Sequence, residues 1–164
     1  MLDCSNSKPS PGAGGVVVTL AAWLVGVEVQ SPQHAGEICI AELYGHEIGP
    51  TGSTVHMGVK AHHDPELMVD MEDVRLDIDA SDWHTYAAAW TRDETRFYID
   101  GQVVREVSQG IDYPMQLMID LFEFRTTEHR QHNGYPKTAE VGAVRGHIPR
   151  EQASSPTAVV DGCA

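Results

Sequence analysis

Basic residues are scarce in this sequence: 11 Lys and Arg stand against 24 Asp and Glu, a formal net charge of -13. No Lys/Arg cluster interrupts the acidic background, so the basic patch that nucleic acid or an anionic membrane would need is missing. Neither is expected as a partner, whereas a neutral partner is not repelled. Cysteine is almost as scarce. Cys4, Cys39 and Cys163 make an odd count, with no metal-ligand spacing and no secreted disulfide framework, and all three are expected as reduced thiols. Long apolar runs are also lacking. The longest, Gly15 to Val27, is too short to span a bilayer. Lys8 precedes it as in a signal peptide, but Asp3 sits in the would-be n-region and no A-x-A site follows. A cut at His34-Ala35 would delete a strand, and a buried strand gives the same run. The cytoplasm is therefore slightly favoured, unless a signal once preceded this N-terminus. Internal repeats and amphipathic helices are absent too.

What remains is a globular composition, 41% hydrophobic and 21% charged over 164 residues, which fits one domain at most. A domain of this size buries about 70% of the surface its unfolded chain exposes, enough for a real core. Residues 1–14, rich in Ser, Pro and Gly, read as a flexible leader, 15–149 as a partial domain, and 150–164 as a flexible tail. Within the middle region, short strand signals alternate with turn residues: Val16–Val25, Glu37–Tyr44, Thr54–Lys60, Val74–Ile78, Trp83–Thr91, Thr95–Ile99, Gln102–Val107, Met115–Phe124 and Thr138–His147. Asp100-Gly101 between two alternating runs predicts a tight hairpin, because both turn residues must take positive φ. Many short strands without helix signals predict an all-β fold, an antiparallel β-sandwich or jelly roll.

The chemistry concentrates in GEICIAELYG, residues 36–45. Alternation puts Glu37 and Cys39 on one face, and Glu42 on the other unless a β-bulge inserts one residue between them. With the bulge all three share a face, and the carboxylates come to about 5 to 5.5 Å, the separation of a retaining glycosidase. Taken alone, two glutamates read equally well as solvent-facing residues of an amphipathic strand. In MQLMIDLF, Gln116, Met118, Asp120 and Phe122 share a face opposite Met115, Leu117, Ile119 and Leu121, and an ionisable residue there favours a wet cleft. His56, opposite Val55 and Met57, is expected to face the same cleft. His62-His63-Asp64 reads as a solvated loop rather than a metal site, since adjacent residues rarely converge on one ion.

The order of motifs resembles glycoside hydrolase family 16 of the laminarinase type. Trp23-Leu24-Val25-Gly26 is similar to the family's W-L-x-G strand, and Glu37-Ile38-Cys39-Ile40-Ala41-Glu42 to its bulged E-x-D-x-x-E strand. WHTYAAAWTRDETRFYIDGQVV, PMQLMIDL and AEVGAVRG follow in the family's order, over about residues 16–148. The resemblance implies a concanavalin A-like lectin/glucanase fold, hydrolysis of a β-glucan, and a polysaccharide or oligosaccharide partner without a cofactor. It implies Glu37 as nucleophile, Glu42 as general acid/base, and Trp23 and Asp120 as substrate-binding residues; His56 and Phe122, on the cleft face by alternation, are expected to bind substrate beside them. Cys39 departs from the family's Asp, the support of the nucleophile; a thiol is a weak, uncharged donor. The family's calcium-binding Asp is replaced by Gly142, so no metal is expected. Because the resemblance starts only at the strand before Glu37, the domain is expected to be incomplete. A non-hydrolytic carbohydrate-binding module and an inactive fragment are the competing readings.

Overall fold

The computed structural model describes residues 2–6, 16–125 and 137–147. Ten strands form it: β1 (Leu2–Asn6), β2 (Val16–Gly26), β3 (Glu37–Tyr44), β4 (Ser53–Lys60), β5 (Asp70–Leu76), β6 (His84–Trp90), β7 (Thr95–Ile99), β8 (Gln102–Val107), β9 (Met115–Arg125) and β10 (Ala139–Val144). A single 3-10 turn, Gly45–Glu47, follows β3, and among the described residues no helix is long and apolar enough to cross a membrane. The strands make two antiparallel five-stranded sheets, ordered β10-β1-β6-β7-β8 and β5-β4-β3-β2-β9. The fold is the all-β sandwich that the strand pattern predicts.

Alternation explains how the sheets meet. Leu20, Ala22 and Leu24 of β2, Ile38 and Leu43 of β3, and Val55, Met57 and Val59 of β4 point inward against Tyr86, Phe97, Ile99 and Val107 of the other sheet. Each large apolar side chain so buried contributes roughly 1.5 to 3 kcal/mol. Arg105 of β8 adds a polar staple: its guanidinium reaches the Met57 carbonyl and Asp70, with Glu72 at 3.0 Å, tying the ends of the two sheets together. It passes over Gly58, where φ is +149 and a Cβ would meet the Asp70 carbonyl at 2.1 Å, so only glycine fits. The Asp100-Gly101 turn has φ of 51 and 77, as the hairpin reading requires.

Two expectations need correction. Leu2–Asn6 is a strand, not flexible leader: it pairs with β10 on one side and β6 on the other. Its partners lie about 80 and 140 residues away, so no local pattern announces it; residues 7–14 and 150–164 lie outside the described residues. β5 runs over Asp70–Leu76 rather than Val74–Ile78. It is an edge strand whose exposed Asp70, Glu72 and Asp73 hide the alternation and blunt the edge against foreign strands.

Candidate active site

The outward face of the β5-β4-β3-β2-β9 sheet carries a cavity of about 430 Å³, with Glu37, Cys39, Glu42 and Lys60 along one part and Trp23, Met118, Asp120 and Phe122 along another. The bulge creates this arrangement. Against β2, Ala22 pairs with Ala41 and Trp23 with Cys39, leaving Ile40 as an extra residue on β3; the β3–β4 register slips over the same stretch, between Cys39 and Glu42. Ile38, Ile40, Ala41 and Leu43 stay buried in the core, while Glu37, Cys39 and Glu42 all reach the cavity. The one-residue insertion read from the sequence is present.

Glu37 is buried, and both of its oxygens are engaged. Lys60 Nζ donates to Oε1 at 2.8 Å, and His62 Nε2 lies 2.8 Å from Oε2. Burial by itself disfavours the Lys60 ammonium, but the bond to Glu37 and its charge outweigh it, and the Lys60 pKa is raised. Glu42 is less enclosed and accepts the Tyr44 hydroxyl at 3.1 Å. Burial, then the Glu42 charge, push the Tyr44 phenol up to about 12, so it remains a donor.

Cys39 lies between the two glutamates, 2% exposed, its thiol 3.7 Å from the His56 carbonyl. Burial is the main cause that pushes its pKa up to about 12; Lys60 opposes this and the two glutamates reinforce it. A thiol so protonated is a poor nucleophile and supplies no charge to the site.

The remaining residues divide. Trp23, half-buried, donates its indole N–H to Asp120 Oδ2 at 2.7 Å, linking β2 to β9 across the cavity. Phe122 lines the cavity beside them and packs edge-on against Phe124. His56 pairs across the ladder with Glu42, but its ring turns elsewhere. Nδ1 sits 2.6 Å from Asp73 and Nε2 2.5 Å from Glu47, with Tyr44 edge-on at 4.7 Å. It therefore does not line the cavity as expected: two carboxylates on its flanks hold it. The loop at 62–64 is not simply solvated either, because His62 touches Glu37 and Asp64 is buried. Lys60 is not singled out in the sequence, where its signal is its place at the end of β4 opposite the start of β3; His62 is expected there only in a solvated loop, because nothing local marks its contact with Glu37.

The sequence profile of Glycosyl hydrolases family 16 matches residues 6–140. No curated protein matches the sequence. Solved structures do. The laminarinase catalytic domain from Thermotoga maritima MSB8 is 20% identical with a TM-score of 0.61, over 85% of this chain and 59% of that one. The endo-β-1,3-glucanase from Pyrococcus furiosus is 22% identical with a TM-score of 0.60, over 85% and 57%. The GlcNAcα1-4Gal-releasing endo-β-galactosidase from Clostridium perfringens is 18% identical with a TM-score of 0.64, over 85% and 35%. These likenesses establish the fold. This chain thus spans between about one third and three fifths of these structures' lengths.

Proposed function

The chain belongs to the glycosyl hydrolases of family 16, and from that premise we propose that it hydrolyses the O-glycosidic bonds of a β-glucan, β-1,3-linked or mixed-linked, with retention of configuration. The observation that carries this reading is the bulge that delivers Glu37 and Glu42 to one cavity from a single strand. Glu37 is the nucleophile and Glu42 the general acid/base. In the first step Glu37 bonds to the anomeric carbon as the glycosidic C–O bond breaks, and Glu42 gives its proton to the departing oxygen. In the second, Glu42 takes a proton from water, the water oxygen bonds to the same carbon, and the ester to Glu37 breaks.

The surroundings differ as these roles require. Glu37 has the Lys60 ammonium and the His62 imidazole on its two oxygens, partners that suit a carboxylate nucleophile. Glu42 has the Tyr44 hydroxyl as its partner and reaches the same cavity, where it can serve the departing oxygen. Trp23, Met118 and Phe122 offer an apolar wall to the faces of a sugar ring, and Asp120 offers acceptors to its hydroxyls. A neutral glycan also suits a chain of charge -13. The fold is shared with a laminarinase and an endo-β-1,3-glucanase, which suits a β-glucan, and also with an endo-β-galactosidase.

Reducing-sugar release from laminarin and from a mixed-linkage β-glucan tests the proposal. Glu37→Gln and Glu42→Gln should each fold normally and lose turnover by several orders of magnitude. With an activated aryl β-glycoside, added azide should rescue Glu37→Gly to an α-glycosyl azide and Glu42→Ala to a β-glycosyl azide. Near-normal hydrolysis by either Gln variant would falsify the assignment of roles. Glycan binding without release by the unaltered chain would point instead to a carbohydrate-binding module.

A further inference from the structure

Each oxygen of the Glu37 carboxylate has one nitrogen partner, and the oxygen that attacks carbon is less crowded and more nucleophilic once its partner has left. The two partners are held in different ways. Lys60 sits directly across the ladder from Glu37, on a paired strand, with its side chain 32% exposed. His62 belongs to the loop after β4, and its side chain is 43% exposed. Its backbone has φ +48, a left-handed conformation uncommon outside glycine, although His and Asn tolerate it better than most residues.

That conformation is built rather than incidental. The Asp64 amide donates to the Ala61 carbonyl at 2.8 Å, and Asp64 Oδ1 accepts the Glu66 amide at 2.9 Å. Asp64 Oδ2 accepts the Tyr113 hydroxyl at 2.7 Å, and the same hydroxyl accepts the amide of Gly36, the residue before Glu37, at 2.8 Å. The loop that presents His62 is thus locked to the start of the strand that presents Glu37. An unfavourable backbone held by surroundings that over-determine it is a pattern found at functional sites.

We infer that Lys60 and His62 divide the Glu37 carboxylate between a permanent and a displaceable partner: Lys60 holds Oε1 throughout as a positioning residue, and His62 is a cap that leaves Oε2 when a sugar enters the cavity. The inference rests on Glu37 being the nucleophile. It identifies Oε2 as the attacking oxygen, because its partner is the more exposed one and is carried by a loop. In the glycosyl ester Oε1 becomes the carbonyl oxygen, which still accepts the Lys60 N–H. Before substrate arrives, the cap keeps a buried carboxylate oxygen from standing unsatisfied, which would be costly. The other titratable groups facing the site from neighbouring strands are Glu42, the protonated Cys39 thiol and Asp120, and none of them offers an N–H donor in place of His62.

The test uses His62→Asn, which keeps a residue tolerant of positive φ but shortens the side chain, together with Lys60→Met and Lys60→Arg. In a Glu42→Gln background, calorimetry with a β-1,3-gluco-oligosaccharide should show His62→Asn binding about two- to tenfold more tightly, since one net hydrogen bond is no longer surrendered. Lys60→Met should lower kcat by about ten- to a hundredfold with KM little changed, and Lys60→Arg should recover most of it. Unchanged or weaker binding by His62→Asn overturns the cap, and a Lys60→Met defect confined to KM overturns the positioning role. A substrate-free arm separates these outcomes from failure of the function itself. The His62 imidazole nitrogen resonances should move in Glu37→Gln without any glycan, and resonances that stay in place overturn the contact. If they move but the unaltered chain binds no glycan, the proposed function fails, and the cap with it.

Discussion

Replacing Tyr113 with Phe removes a single oxygen from the network that joins the His62 loop to the catalytic strand. The ring itself should stay, because it stacks on His34 at 4.3 Å with an interplanar angle of 5° and Phe preserves that face. Burial, then the bond to Asp64, raise the phenol's pKa well above its ordinary value, so at neutral pH the hydroxyl is a firm donor. Its loss leaves Asp64 Oδ2 without this donor at 2.7 Å and the Gly36 amide without its acceptor at 2.8 Å. A hydrogen bond to a charged group is worth about 1.5 to 3 kcal/mol, and an amide left unsatisfied in a buried place costs about 1 to 3 kcal/mol. Tyr113 is only partly buried and water can make good some of the loss, so the expected cost is about 2 to 4 kcal/mol. For a chain of this length that lowers Tm by roughly 5 to 15 °C. Urea unfolding followed by tryptophan fluorescence gives the free energy, and a double-mutant cycle with Asp64→Asn should return a coupling of at least about 1 kcal/mol. Turnover should fall as well, because the lost acceptor of the Gly36 amide loosens the start of the strand that presents Glu37. A Tm within about 2 °C of the unaltered chain, with no coupling to Asp64, would show that the network does not hold the loop.

Two further predictions concern the floor of the cavity and its flank. With Cys4 and Cys163 changed to Ser, Cys39 should react with a thiol reagent at neutral pH far more slowly in the folded than in the unfolded chain. The rise from 9.0 to about 12 alone removes roughly a thousandfold of thiolate, before access is counted, and equal rates in the two states would contradict the burial seen here. His56 should titrate above the ordinary histidine range: burial lowers its pKa, but the bonds to Glu47 and Asp73 outweigh burial. A raised folded value means stabilisation that is complete below the unfolded histidine value and is lost as pH rises through the folded one. Glu47→Gln and Asp73→Asn should each lower the midpoint seen by NMR, and a midpoint that stays put would show that the carboxylates do not hold the ring.

Much of this architecture is legible in the residues themselves because it rests on local rules. An apolar run marks β2, and strand-like patterning marks β3, β4, β7, β8 and β9, each to within a residue or so at each end. Asp100-Gly101 specifies its own turn, since both residues tolerate positive φ. The placement of Glu37, Cys39 and Glu42 follows from counting: the glutamates are five positions apart, an odd offset, and one inserted residue restores a common face. Other features belong to the tertiary structure alone, for one physical reason: they depend on which distant segments meet. β1 is a strand because residues 84–86 and 139–144 flank it, and nothing in Leu2–Asn6 states that. His56 faces the expected side of its strand, yet Glu47 and Asp73, nine and seventeen residues away, decide which way its ring is held. The partners of Glu37 come from positions twenty-three and twenty-five residues on, across a loop whose shape is fixed by Tyr113 from another strand's approach. Periodicity fixes the face on which a side chain emerges, whereas its partners there are set by the packing of strands brought together from the whole length of the chain.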